Sequence, residues 1–504
     1  VVVCLLLAQA AWGESGAKKA AKVTDPARVA PWVKVSLQGV GFPGISANFL
    51  NTGASMLTVH FIDDSHLLVT FGLRTLVPRL KDDPEGDDDR LVAAEVVELP
   101  SGKVTAKTEW HMHDHARYLW PLGGGRFLVR IGEQLYTMAP QVGKEADAAF
   151  PRVVFPGRGR KPSAVIVSSD GKVLTVETTI PAEAAKTTVV LGDQDSAAGS
   201  APPSKTLIDF FRVGKDAEVT PAGAVQASEP MLLPVDADGY LWAEQTDSSV
   251  WRMSFEEFGG KEIGLGEINS TCQPRLQMLD RSEFLAMSCH GGDDHISMAS
   301  YGLDGKETWE ESVGEFGPPA FAFAPESSRF AVSHITEENL PPTATMTDAG
   351  PTAVAHQEVR VYQDASGDLL LRVECIPVIK TAENFDLSSD GTLAAVVRSG
   401  DIVLYKLPPL GKADREDIVE VAKFAPPETD APIRLAKLTV PLPTTKPTAD
   451  VSVVKGMVAP APPVVAGGQA VGEKPETRKP PTLLKPGEKP EYGTANGQGA
   501  EPQP

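Results

Sequence analysis

Cysteine is scarce, four in 504 residues. That excludes a small disulfide-built scaffold, and with no Cys-x-x-Cys pair it also excludes the usual zinc knuckles and thioredoxin-like redox motifs. A basic excess is missing as well. Lys and Arg total 47 against 67 Asp and Glu, a formal charge of −20, which argues against nucleic acid and anionic membrane surfaces as partners. Aromatic residues make up only 6%. After the first dozen residues no apolar run approaches the roughly 18 residues a membrane span needs. Gly-x-Ser-x-Gly and His-Glu-x-x-His are absent, so the commonest hydrolase signatures are not available. No long stripe of 3.6-residue period runs through 50–410, which leaves helix a poor competitor there.

Glycine and proline are plentiful instead, 45 and 43 residues, the material of turns and linkers. The opening "VVVCLLLAQAAWGES" reads as the apolar core of a signal peptide over residues 1–13, truncated at its N-terminus, and implies export to the periplasm or beyond. The other end, 441–504, is rich in Pro, Gly, Lys and Glu. It has too little apolar surface to offset the entropy of ordering, and so is expected to be a disordered tail.

Between these ends one pattern recurs. "LTVHFIDDSHLLVTF", "YLWPLGGGRFLVRI", "AVIVSSDGKVLTVE", "MLLPVDADGYLWAE", "RLQMLDRSEFLAMS", "AFAFAPESSRFAVS" and "NFDLSSDGTLAAVV" each set an apolar run, a turn rich in Asp, Ser or Gly, and a second apolar run in series. Asp and Ser close turns through their side chains and Gly supplies positive φ. The turns fall near residues 64, 124, 170, 238, 281, 327 and 390. Three intervals are about 43 to 46 residues, the size of a four-stranded propeller blade. The longer three hold insertions at 81–90, 181–205 and 336–358. Further strands follow in "ISMASYGLDGKETWEESV" and "VRVYQDASGDLLLRVECI". The expectation is an all-β fold, a seven-bladed β-propeller over 33–440. Either "PWVKVSLQGVGF" near the N-terminus or "IRLAKLTVPL" at 433–442 would close the ring.

The "SSDGKVLTV" and "SSDGTLAAV" hairpins resemble those of bacterial WD40-like and YVTN-type β-propeller repeats, a resemblance extending over about 33–410. The Trp-Asp and Gly-His pairs of eukaryotic WD40 blades do not occur. "LDGKETWEE" at 303–311 is similar to the end of a quinoprotein repeat, where a glycine turn leads to a docking Trp. The resemblance implies a ring of blades and fixes no chemistry.

Residues 111–115, "HMHDH", carry the sharpest chemical suggestion. His111, His113 and His115 on a strand would share one face at successive spacings of about 7 Å, within reach of zinc or another divalent metal. The same residues link the last strand of one blade to the first of the next, where a polar loop at the channel mouth is the plainer reading. "CHGGDDHIS" at 289–297 is a second His-bearing turn, expected on the opposite rim. Cys272 and Cys289 flank a hairpin that would bring them together as a disulfide or leave them as two buried thiols. "GVGFPG" at 39–44 matches a phosphate-loop pattern, but Pro43 forbids the helix such a loop needs. "DDPEGDDD" lacks the alternation of a calcium loop.

These readings converge on an exported binding or scaffold module that recognises a protein or small ligand through rim loops and is expected to be a monomer without a cofactor. The alternatives are an enzyme, metal-dependent or otherwise, at the channel mouth near His111–His115, and a structural envelope protein tethered by its tail.

Overall fold

The computed structural model describes residues 25–42, 56–73, 90–112, 117–131, 133–140, 152–155, 160, 162–180, 205–214, 218–227, 231–258, 260–290, 295–314, 319–339, 352–375 and 383–423. Strand β1 (Pro31–Ser36) comes first. The first blade is β2 (Thr58–Asp63), β3 (His66–Leu73), β4 (Arg90–Glu98) and β5 (Lys103–Met112); the second is β6 (Leu119–Gly123), β7 (Arg126–Ile131), β8 (Gln134–Met138) and β9 (Arg152–Phe155). The third holds β10 (Pro162–Val167), β11 (Val173–Ile180), β12 (Lys205–Val213) and β13 (Val219–Ala227). Blade four has three strands, β14 (Gly239–Asp247), β15 (Val250–Glu257) and β16 (Glu262–Asn269). Blade five is β17 (Arg275–Met278), β18 (Glu283–His290), β19 (His295–Gly302) and β20 (Glu307–Gly314). Blade six is β21 (Ala320–Ala324), β22 (Arg329–Asn339), β23 (Thr352–Gln363) and β24 (Leu369–Glu374). Blade seven takes β25 (Phe385–Leu387), β26 (Leu393–Arg398) and β27 (Asp401–Lys406), with β1 as its outer strand.

Six of the seven hairpin turns expected from the sequence lie between the first and second strands of a blade, and the seventh, near 238, precedes β14. The N-terminal segment closes the ring: Val35 sits opposite Ile402 and Lys34 opposite Val403. Residues 433–442 lie outside the described residues.

Period-two alternation explains the core. Each blade packs against two neighbours, so both faces of its central strands are apolar. Leu67 and Val69 of β3 point into the cluster shared with blade seven, while Leu68 points into the one shared with blade two. Seven such clusters occupy the seven inter-blade seams. Burying one Leu or Phe is worth roughly 1.5–3 kcal/mol. The Trp of the quinoprotein-like stretch docks in this way: Trp309 stacks on Phe330 and Tyr362 of blade six and donates from Nε1 to the Asp364 carbonyl at 2.7 Å.

The two Ser-Ser-Asp-Gly turns fold alike. Ser168 Oγ donates to Asp170 Oδ1 at 2.7 Å and accepts from the Val173 amide at 3.0 Å. Ser388 Oγ does the same with Asp390 (2.6 Å) and Leu393 (2.9 Å). Gly171 has φ +69°, and a Cβ there would meet the Leu122 carbonyl oxygen at 2.3 Å, so the turn requires glycine to seat against the preceding blade.

Two elements depart from the sequence reading. A helix, α1 (Lys412–Ala422), follows blade seven with no buried residue. The segment 336–358 is strand in part, since β22 continues to Asn339 and β23 resumes at Thr352 opposite it. Among the described residues no helix is long and apolar enough to cross a membrane.

Candidate functional site

The inner strands surround a channel of about 3190 Å³ lined from all seven blades. Its two rims follow from strand alternation. In an antiparallel four-stranded meander, the first and third hairpin turns fall at one end. The second-to-third links and the blade-to-blade connections fall at the other. The first end is the turn rim and the second the connection rim.

The insertions at 81–90 and 181–205 and the link within 336–358 all join second to third strands: they leave at Leu73, Ile180 and Asn339 and return at Arg90, Lys205 and Thr352. The strand ends that flank them therefore all lie at the connection rim. So do His290 and His295, the ends of β18 and β19 that flank 291–294, and this corrects the expectation that this turn would lie opposite the His111–His115 connection. The number of strand reversals fixes the end at which each link falls.

Of the metal candidates, His111 lies on β5 opposite Leu91. His113 and His115 lie outside the described residues, as do Asp293 and Asp294. Among the described residues no three His, Cys, Asp or Glu side chains converge to hold a metal. His290 Nε2 lies 3.0 Å from Ser288 Oγ and 2.8 Å from Ser297 Oγ, an arrangement complete without a metal.

Cys272 and Cys289 are joined as a disulfide with Cα atoms 5.6 Å apart. It ties the segment before β17 to the end of β18 and closes a loop with a sequence separation of 17. Cys375 is buried as a free thiol, and burial pushes it up to about 12. Cys272→Ala with Cys289→Ala is expected to cost about 3 kcal/mol of stability, the loop-entropy value for a ring of this size. Urea unfolding midpoints check this, and an unchanged midpoint would show that the bond constrains nothing.

The turn rim gathers acids from blades that are distant in sequence. Asp236 is 3% exposed, and among the described residues its Oδ2 has no hydrogen-bond partner. Burial, then Asp170 and Asp238, push it up to about 8 against the weaker pull of Arg281. One blade further, the Glu283 and Asp364 carboxyls come close to each other, and burial and the neighbouring Asp280 raise both. Asp417 of α1 stands over this group and is raised in turn by burial and by Asp280. Sequence inspection missed these groups because each looks like an ordinary turn acid until the ring brings the turns together.

Blade four breaks the regular pattern. The sequence leads one to expect a full hairpin in "MLLPVDADGYLWAE", but the first strand is reduced to a single bridge, Val235 to Tyr240. Glu177, buried on β11 of blade three, accepts from the Leu232 amide at 2.6 Å and the Met231 amide at 3.3 Å. Leu232 adopts φ +48° and is 56% exposed, while Pro234 has no amide to give. The chain is thus drawn toward blade three. The second strands of blades one, five and seven are buried through most of their length, but β14 is exposed from Glu244 to Asp247.

Seven antiparallel sheets around a channel, closed by a strand from the opposite end of the chain, define a seven-bladed β-propeller. No protein-family model matches the chain, and no curated protein matches it in sequence. Among solved structures it is similar to the C-terminal WD40 domain of Sif2, at 10% identity and TM-score 0.35, covering 77% of this chain and 100% of that one. It is also similar to the Dos1 propeller, at 9% identity and TM-score 0.35 over 75% and 95% of the two chains. Against the acylaminoacyl peptidase of Pyrococcus horikoshii the figures are 10% and 0.39 over 68% and 49%. Likenesses this distant decide nothing about activity, and the fold assignment rests on the sheets themselves.

Proposed function

We propose that this is an exported YVTN-type propeller that serves as a binding or scaffold module and takes a protein partner or ligand at its connection rim. The observation that carries the reading is that the strand ends flanking all three insertions lie at that one rim. Binding surfaces commonly sit on loops held by a rigid frame. The β22–β23 pair supports it, continuing as a ladder to Asn339 and Thr352. The Cys272–Cys289 bond favours an oxidising compartment, in keeping with residues 1–13 as a leader.

A pull-down from the native envelope fraction tests this with two baits. One is the full chain; in the other an Asn-Gly turn replaces 340–351 and a short Gly-Ser link replaces 181–204. The expected result is a partner retained by the first and lost by the second, both having equal thermal midpoints. Equal recovery by both baits would remove the rim from the binding surface.

A further inference from the structure

Helix α1 follows blade seven at the turn rim and packs against the Pro325–Ser327 turn of blade six. Its half-buried residues are Asp414, Asp417, Ile418 and Val421, which the spacing of three and four places on one face. Two of these four are acids, and they meet opposite surroundings. Asp414 faces the Arg329 guanidinium, whose Nη2 also donates to the Pro408 carbonyl at 2.7 Å, at the foot of the helix. Asp417 faces Asp280 and Glu283 of blade five and Asp364 of blade six. With 11 residues and none of them fully buried, α1 is too short to persist undocked, since an isolated helix needs roughly 12–15.

We propose that α1 is a pH-dependent strap, docked on the turn rim in acid solution and released as the solution becomes alkaline, which frees the part of the channel that Lys423 lines. The apolar share of the contact is only Ile418 and Val421, so an unfavourable charge beneath the helix decides the balance. The charges around that contact are these. On α1, Lys412 pairs with Glu416 at 3.2 Å and Lys423 with Glu420 at 2.6 Å, and Arg415 is exposed. Blade six brings an exposed Glu326 and Arg329, which faces Asp390 of blade seven as well as Asp414. Arg281 of the blade-five turn is engaged elsewhere, 3.7 Å from Asp170 and acting on Asp236 and Asp238. Asp417 is thus left over acids.

Among the described residues Glu283 Oε2 and Asp364 Oδ1 have no hydrogen-bond partner, so a charge on either is poorly compensated. Burial and Asp280 push Glu283 up to about 7 and hold Asp364 well above the usual carboxylate range. Burial and Asp280 raise Asp417 as well. When the helix departs, Asp417 leaves with it and the carboxyls beneath meet water, so their pKa values fall toward the ordinary value of about 4. The docked state therefore holds more protons than the released one. Docking is strongest in acid and is lost as pH rises through about 7.

Amide exchange of residues 416–422 in the full chain tests this, read by mass spectrometry as protection relative to an unstructured peptide at the same pH. In the wild type, protection should fall by at least about tenfold between pH 6 and pH 8, the effect of one proton over one pH unit. Glu283→Gln/Asp364→Asn should stay protected at pH 8. Asp417→Asn, a change outside the ring's core, should show a much smaller fall than wild type. Asp236→Asn alters a titrating acid elsewhere on the rim and should leave the fall in place. Level protection in the wild type would overturn the proposal, as would a wild-type fall in Asp417→Asn or in the folded double variant. A fall abolished by Asp236→Asn would tie α1 to the general stability of the ring and equally overturn it.

Discussion

Val35→Pro is expected to lower stability by about 3–5 kcal/mol, through the one seam where the ring is joined by residues from opposite ends of the chain. The Leu37 amide donates to the Gly400 carbonyl at 3.0 Å. Hydrogen bonds recur at every second residue of an antiparallel pair, so the Val35 amide points at Ile402, its register partner. Proline there removes the donor and strands a carbonyl, a loss of about 1–3 kcal/mol. Its ring also replaces a side chain that is 3% exposed and packed among Val59, Leu67 and Ile402, where full burial is worth roughly 1.5–3 kcal/mol. Lys34→Pro is the control, because the Lys34 amide faces away from β27 and an edge strand tolerates proline on that side. The urea midpoint should fall well below wild type for Val35→Pro and much less for Lys34→Pro. Equal, small shifts for both would mean that β1 does not hold the seam closed.

That closure was legible because it depends on local pattern. "PWVKVS" alternates, and a ring of blades needs one more strand. The seven hairpin turns were legible for the same reason, each being written in a few adjacent residues such as Ser168, Asp170 and Gly171. What could not be read depends on residues far apart. The break in blade four is caused by Glu177, more than fifty residues before the strand it diverts. Nothing in "MLLPV" announces a carboxylate waiting on the neighbouring blade. The carboxyl pair of Glu283 and Asp364 joins turns of two blades. Helix α1 left a weak signal: Lys412 and Glu416 stand four apart, and no apolar stripe marks a buried face. The rim of the 291–294 link was legible in principle, from the number of strand reversals.

The acids of the turn rim make stability fall as the solution becomes more alkaline. Asp236 is held protonated in the fold, its pKa pushed up to about 8 by burial and by Asp170 and Asp238. In the unfolded chain it ionises near the ordinary value of about 4. Between those values the folded state holds one proton more than the unfolded state. Its stabilising contribution is therefore fully present below about pH 4 and is lost as pH rises through 8. The slope is about 1.4 kcal/mol per pH unit. Glu283, pushed up to about 7, acts in the same direction together with Asp364. His334 acts the other way below about pH 6.5, because burial and Arg360 push it down to about 3 and the fold keeps it neutral. Wild-type stability should therefore fall from pH 5 to 8, less steeply below about pH 6.5, where His334 offsets part of the loss, than above it. Comparison with Asp236→Asn isolates the one group: relative to wild type the variant should gain about 4 kcal/mol between pH 5 and pH 8, read from urea midpoints at each pH. A constant difference across that range would mean that Asp236 is already ionised in the fold. The turns of blades three, four and five would then have to hold Asp170, Asp236 and Asp238 as three charges against Arg281.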